Sequence, residues 1–272
     1  MRLYTLITTS LVTASFLVGC GGSGGDGDNT ASAAPVEITT VKQAKNAIAA
    51  ASSANSGYSN INTRSISREA YTQSCAVSGS MTINVSQAAS TKVSSVTTMD
   101  NCDDGGGVSN GKMVMDANID GYKTSSKISM QNFSQKNEQM YFVANLNIDT
   151  VSDSQTGASD TTLNGTIHLE EYIYNDVQDY GYTNFNVKQS GYNSGIEING
   201  KTSISSKNYS CVNGTYDIKT TTPLQIGYNG YTAGEMEING AVYHYNNDGT
   251  VTVTLANGET STIEQDTTPD CN

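Results

Sequence analysis

From Ser80 onward hydrophobic side chains recur at every second position. Met81, Ile83 and Val85 share one parity, as do Met113, Met115, Ala117 and Ile119, then Ile128 and Met130, then Met140, Phe142, Ala144, Leu146 and Ile148. The pattern continues with Leu163, Ile167, Leu169 and Ile173, with Ile196, Ile198, Thr202 and Ile204, with Met236, Ile238 and Val242, and with Val251, Val253 and Leu255. The alternate positions carry Ser, Thr, Asn, Lys, Glu and Tyr. A period of two with one dry and one wet face predicts half-buried strands in an antiparallel sheet. The runs predict about a dozen strands of ordinary length.

Only one stretch has helical spacing. Thr40 to Ala51 is rich in alanine, with Thr39 or Thr40 placed to cap it and Asn55-Ser56-Gly57 to end it. Val41, Ala44, Ile48 and Ala51 form a narrow apolar stripe, with Lys42, Lys45 and Asn46 facing away. A helix of about four turns, roughly 22 Å long, covers part of a curved sheet but not a flat one. The predicted fold is therefore mainly β: a large curved antiparallel sheet, half-barrel or open barrel, with one N-terminal helix packed on its dry face.

Asn-Gly and Asp-Gly pairs punctuate the chain at 110–111, 120–121, 164–165, 199–200, 213–214, 229–230, 239–240, 248–249 and 257–258. Such pairs suit tight hairpins, where φ is positive. Those at 164–165, 199–200 and 239–240 sit inside alternating runs and predict bulges or bends instead. The pairs at 248–249 and 257–258 are read as hairpins. A loose echo between Gly195–Gly200 and Gly234–Gly240 is repeated strand grammar at irregular spacing, not a solenoid.

The N-terminus decides where this sheet resides. Arg2 precedes an uncharged run from Leu3 to Gly19, too short to span a membrane but right for a secretory signal. It closes on Leu17-Val18-Gly19-Cys20, which resembles the lipobox of bacterial lipoprotein precursors. The resemblance implies cleavage before Cys20, lipidation of its sulfur and acylation of the new amine. Gly21, in place of the aspartate associated in that family with inner-membrane retention, implies the outer membrane. The resemblance covers about the first 20 residues and is silent on the rest. The predicted organisation is a signal peptide at 1–19, a Gly/Ser/Asp tether at 20–37, a helix at 38–56 and a β domain at 57–272.

Four further cysteines remain, Cys75, Cys102, Cys211 and Cys271. In an exported chain an even number reads as two disulfides, with three possible connectivities. Pairing of Cys75 with Cys102 and of Cys211 with Cys271 is the expectation. Zinc competes poorly, since no two of the four form a C-x-x-C pair and the chain has only 2 histidines.

A net charge of −12 with 14 Lys and Arg argues against nucleic acid as a partner and against adsorption to anionic lipid. His168 and His244 lie in strand patterns outside any metal or nucleophile motif, and no P-loop, dinucleotide or hydrolase fingerprint occurs. Glu170-Glu171, or Glu197 with Glu237, are the only acid–base pairs to weigh for glycoside cleavage. Asp100, Asp103 and Asp104 beside Cys102 lack EF-hand spacing and read as an acidic loop. No catalytic residue, cofactor or metal is therefore assigned.

Tyrosine dominates the aromatics, 16 against 4 Phe and no Trp. Tyr172 with Tyr174, Tyr180 with Tyr182, and Tyr243 with Tyr245 alternate against the aliphatic positions and are expected outward, as a candidate binding face for a glycan or protein. Cross-strand tyrosines also stabilise a wet face without any ligand. Two function classes follow: a non-catalytic binding or interaction lipoprotein, and a carrier or receptor holding a lipid-like ligand in an apolar cavity under the sheet. The second resembles, in architecture alone, the half-barrel of outer-membrane lipoprotein receptors, and the methionines at 81, 113, 115, 130, 140 and 236 would suit its adaptable pocket.

Overall fold

The structure, a computed structural model, describes residues 34–57, 71–88, 91–227, 230–265 and 268–271. Cys20 and the segment around it lie outside them. Among the described residues one α-helix, α1 (Val41–Gly57), is followed by 14 strands. These are β1 (Tyr71–Ser74), β2 (Ser78–Ala88), β3 (Lys92–Asp103), β4 (Val108–Asp120), β5 (Lys123–Lys136), β6 (Met140–Asp153) and β7 (Ala158–Glu171). Then come β8 (Asp176–Gln189), β9 (Ile196–Ser206), β10 (Gly214–Gly227), β11 (Gly230–Ile238), β12 (Ala241–Tyr245), β13 (Thr250–Thr254) and β14 (Thr260–Glu264). Each strand pairs antiparallel with its sequence neighbours in a single open sheet ordered β1 to β14. The edge strands are short, 4 residues in β1 and 5 in β14, which limits the ladder left for edge-to-edge pairing.

The dry face is the one the alternation predicts along most of the chain. Phe142, Ala144 and Leu146 on β6, Ile196, Ile198 and Ile204 on β9, and Val251 and Val253 on β13 are all buried. Two corrections come from hairpin chemistry. Asn239-Gly240 is not a bulge: it is the two-residue turn between β11 and β12, with Ile238 opposite Ala241 and positive φ at both turn residues. That turn shifts the parity of β12, so Ala241, Tyr243 and Tyr245 face the core and Val242 does not. Ile173, expected on the dry face of β7, belongs to the exposed turn after it.

A line of bends crosses the sheet and curves it. Asn101, Asn132 and Asn184, on β3, β5 and β8, take positive φ at register shifts. Each backbone N–H there donates to an asparagine side chain on a neighbouring strand, Asn110, Asn145 and Asn164 respectively, at 2.7 Å. Asn199 repeats the device toward Thr220 on β10. Gly200 sits on this line at φ +112, and a Cβ there would lie 2.1 Å from the Asn184 carbonyl oxygen, so only glycine lets the strands approach. The pairs at 164–165 and 199–200 are thus bends, as their position inside alternating runs predicts; Asn110-Gly111, read as a hairpin signal, joins them inside β4.

The helix lies across the dry face from β12 to β8. Thr40 Oγ1 accepts from Gln43 N–H while Gln43 Oε1 accepts from the N–H groups of Thr39 and Thr40, which closes a capping box. Ala44, Ala47, Ile48, Ala49, Ala50 and Ala54 are buried in the main core. The helix is covered on more sides than a narrow stripe implies, because a C-terminal strap closes over it. Asn46, expected toward solvent, is buried and exchanges two hydrogen bonds with the Asp270 backbone, at 2.8 and 3.0 Å. Lys42 pairs with the Asp270 carboxylate at 3.8 Å.

Both disulfides are those expected, Cys75–Cys102 and Cys211–Cys271, each with Cα atoms 5.3 Å apart. The second ties the strap to the 3-10 turn Ser210–Val212, which packs on the helix. The first closes a separate small cluster with Met81 and Ile83 at the β1–β3 end.

The chain joins the sheet at a defined end. Ala34 to Val36, read from composition as the end of the tether, are docked: Pro35 forms a parallel bridge with Thr215 at the start of β10. Thr215 N–H donates to Ala34 O, and Val36 N–H to Thr215 O, both at 3.1 Å. We call this the proximal end; it carries the turns at 75–77, 104–107, 137–139, 172–175, 207–213, 239–240 and 255–259.

Candidate functional site

The six candidate tyrosines divide. Tyr180 and Tyr182 on β8, and Tyr243 and Tyr245 on β12, are buried on the dry face, not outward. On β8 the aliphatic residues, Val177 and Val187, fall on the parity opposite to the two tyrosines, but pairing sets the face: Tyr180 lies opposite Ile167, and Tyr182 opposite Gly165. Three of these rings reach the helix. Tyr182 donates to the Ala54 carbonyl at 2.9 Å, one of the last-turn acceptors that the helix leaves open. Tyr243 donates to the Ala44 carbonyl at 3.2 Å, and the Tyr180 hydroxyl meets Ser53 Oγ at 2.8 Å. Tyr216, buried beside them, donates to Val212 O at 2.8 Å. Burial pushes the Tyr180 phenol up to about 12 and those of Tyr216, Tyr243 and Tyr245 higher, so all four stay neutral donors at ordinary pH. Tyr180, Tyr182 and Tyr243 anchor the helix, while Tyr216 holds the 3-10 turn and Tyr245 packs on Tyr231.

Tyr172 and Tyr174 remain exposed, in the β7–β8 turn with Ile173 between them. Below this turn Tyr180 donates to Gln178, and Gln178 to Asp176. Asp176 is 3% exposed, and its Oδ1 has no hydrogen-bond partner. Glu171, opposite Asp176 in register, has its carboxyl raised by burial and then by the Asp176 charge.

The wet face carries a cluster that the sequence did not disclose. His168 Nδ1 lies 2.7 Å from Asp179 Oδ1 across the β7–β8 pairing, and Nε2 lies 3.3 Å from Glu170. The Tyr141 ring stands edge-on to the imidazole. The Asp179 hydrogen bond is the main cause holding His168 above its ordinary value; burial opposes it and Glu170 adds to it. Its signal in sequence would have been cross-strand register alone. The contribution of this pair to stability is complete below the unfolded histidine pKa and is lost as pH rises through the folded one. Asp179→Asn is expected to lower the His168 pKa, read from the imidazole proton shifts in an NMR titration; an unchanged midpoint would refute the pairing.

The remaining candidates stay apart. His244 faces Glu235 at 3.7 Å. Glu170 and Glu171, adjacent on β7, point to opposite faces. Glu197 and Glu237 are separated by β10, where Lys219 pairs with Glu237, and Glu197 meets Lys188 at 4.0 Å. Two strand spacings, roughly 10 Å, exceed the distance at which two carboxylates flank one glycosidic bond. In the acidic loop Asp103 accepts from Gly105 N–H and Asp104 from Ala76 N–H. Cys75, Cys102 and Asp104 lie together, but the two sulfurs are bonded to each other and do not offer thiolates. A groove of about 490 Å³ runs along the other, distal end of β3 to β6, with Lys92, Asp116, Lys127, Asp149 and Val151 in its walls. Its carboxylates are engaged, Asp149 by Lys127 at 3.2 Å and Asp116 by the Ser94 hydroxyl.

The fold and these surfaces define a class: an open antiparallel meander that packs its own helix in its concavity. No protein-family model, curated protein or solved structure matches the chain.

Proposed function

We propose that the protein is a bacterial lipoprotein held through Cys20 in the outer membrane, acting as a non-catalytic binding or interaction module. The observation that carries this reading is the occupied concavity. The helix and the buried tyrosines fill the dry side over β8 to β12, which leaves the outer face and the strand-end turns for partners. A lipid-like ligand would need that same space, so the carrier reading loses its cavity there. Glycan or protein is the partner class that suits a hydroxyl-rich outer surface, and the net charge of −12 disfavours nucleic acid.

The test is at the anchor. The mature parent should begin at Cys20 with the added mass of its acyl chains and float with outer-membrane vesicles, two or more chains giving stable attachment. Cys20→Ser should be released or left unprocessed. If it partitions with membranes as well as the parent, the anchoring reading is wrong.

A further inference from the structure

We propose that the Tyr172-Ile173-Tyr174 turn is a second membrane contact, dipping into the interface of the bilayer that holds the lipid anchor; this rests on anchoring through Cys20. Three neighbouring side chains that a soluble domain would hide are exposed there, Tyr172 by 40%, Ile173 by 66% and Tyr174 by 48%. The turn is held firmly. Tyr172 N–H donates to Gln139 O at 2.8 Å, Asn175 takes φ 49 to close the hairpin, and Lys207 Nζ donates to the Asn175 side chain at 3.3 Å.

Its position says which surface it meets. The turn is at the proximal end, where residues 34–36 enter parallel to β10 from beyond the strand's start. Ser206 at the end of β9 pairs with Gln178 on β8, so the turn and the entry point share one rim. Thirteen residues, 21–33, separate Cys20 from Ala34 and can reach at most about 50 Å. A strand of 14 residues is roughly 46 Å tall. The anchor therefore draws the proximal rim toward the bilayer and leaves the distal groove facing away. Val77, 65% exposed, projects from the β1–β2 connection on the same rim. The distal end also exposes apolar side chains, Tyr122 by 62%, Val151 by 55% and Tyr192 by 65%, with the Tyr192 hydroxyl donating to Ser154 O at 2.8 Å, so the anchor's entry point, and not exposure alone, selects the proximal turn.

Tyrosine flanking an aliphatic residue suits the headgroup level of a bilayer, with the ring in the apolar boundary and the hydroxyl in water. Glu170, Glu171, Asp176 and Asp179 lie close by, so the surface that fits is zwitterionic phospholipid rather than anionic lipid.

The experiment uses the full lipidated protein in phosphatidylcholine–phosphatidylethanolamine vesicles. With Cys20 alkylated and the other cysteines in disulfides, Ile173→Cys supplies one free thiol for an environment-sensitive fluorophore, and Tyr122→Cys at the distal β4–β5 turn is the control. The expected result is a blue-shifted Ile173→Cys probe, quenched several-fold more by bilayer-embedded spin label than the control. If the protein floats but the Ile173→Cys probe is as open to an aqueous quencher as the control, the turn contact is refuted while the anchor stands. If the parent fails to float, or Cys20→Ser floats equally, the anchor reading falls and the contact with it.

Discussion

Ile48→Asp is expected to leave the domain unfolded or nearly so. Ile48 is buried in the middle of the helix, in the cluster that includes Leu146, Ile218, Ile238 and Val253. A carboxylate there has neither water nor a cationic partner, and burying an unpaired charge costs several kcal/mol even after it protonates. Domains of this kind have about 5–15 kcal/mol to lose. Ile48→Val, which removes one methylene group, should cost only about 0.5–1.5 kcal/mol. Urea titration followed by circular dichroism separates the cases. An Ile48→Asp protein with the parent's midpoint would show that the helix does not sit in the core.

Removing the strap is the second large effect. Cys211→Ser with Cys271→Ser frees the disulfide closed over a separation of 60 residues, worth roughly 4 kcal/mol in the chain-entropy view. It also releases residues 268–271, whose Asp270 backbone holds Asn46 and whose carboxylate holds Lys42. The urea midpoint should fall and the slope should rise, because the unfolded chain without the cross-link is more expanded, and amide exchange should rise first in α1. The matching change at Cys75 and Cys102, over a separation of 27, should cost roughly 0.7 kcal/mol less on chain entropy alone. Its exchange signature should stay near β1 to β3. A double serine variant at 211 and 271 as stable as the parent would reduce the strap to a tether without energetic weight.

These two effects also mark where sequence stops being readable. Period-two alternation disclosed the sheet because most strands bury aliphatic residues on one side only, and a threonine ahead of an alanine-rich run disclosed the helix start. Strand β3 escapes that reading: Ser95 and Thr97 are buried on its dry face, opposite Met115 and Met113, so no hydrophobic period exists to be seen. The tyrosines of β8 and β12 were misplaced for a related reason. A tyrosine suits either face, and only pairing decides: Tyr180 and Tyr182 take theirs from β7, Tyr243 and Tyr245 from a two-residue turn one could also read as a bulge. Asn46 looks like a solvent residue because its partner is a backbone segment 224 positions away. The His168–Asp179 pair likewise exists only once β7 and β8 are in register. Each of these depends on a contact that no local pattern encodes.

The nearest-neighbour order of the strands has a consequence for the time course of folding. Every rung of the ladder joins segments adjacent in sequence, so the sheet can extend hairpin by hairpin without paying for long loops. The helix obeys the opposite rule. It is the first element in the chain, yet its seat is formed by Tyr182 and Tyr243, far downstream. An alanine-rich segment of 17 residues is marginal as a helix on its own. Its stable docking is therefore expected to follow the joining of β12, and until it docks the dry face is open to other chains. For this chain the hazardous species is a nearly complete sheet with an empty concavity, and helix docking is the step that ends it.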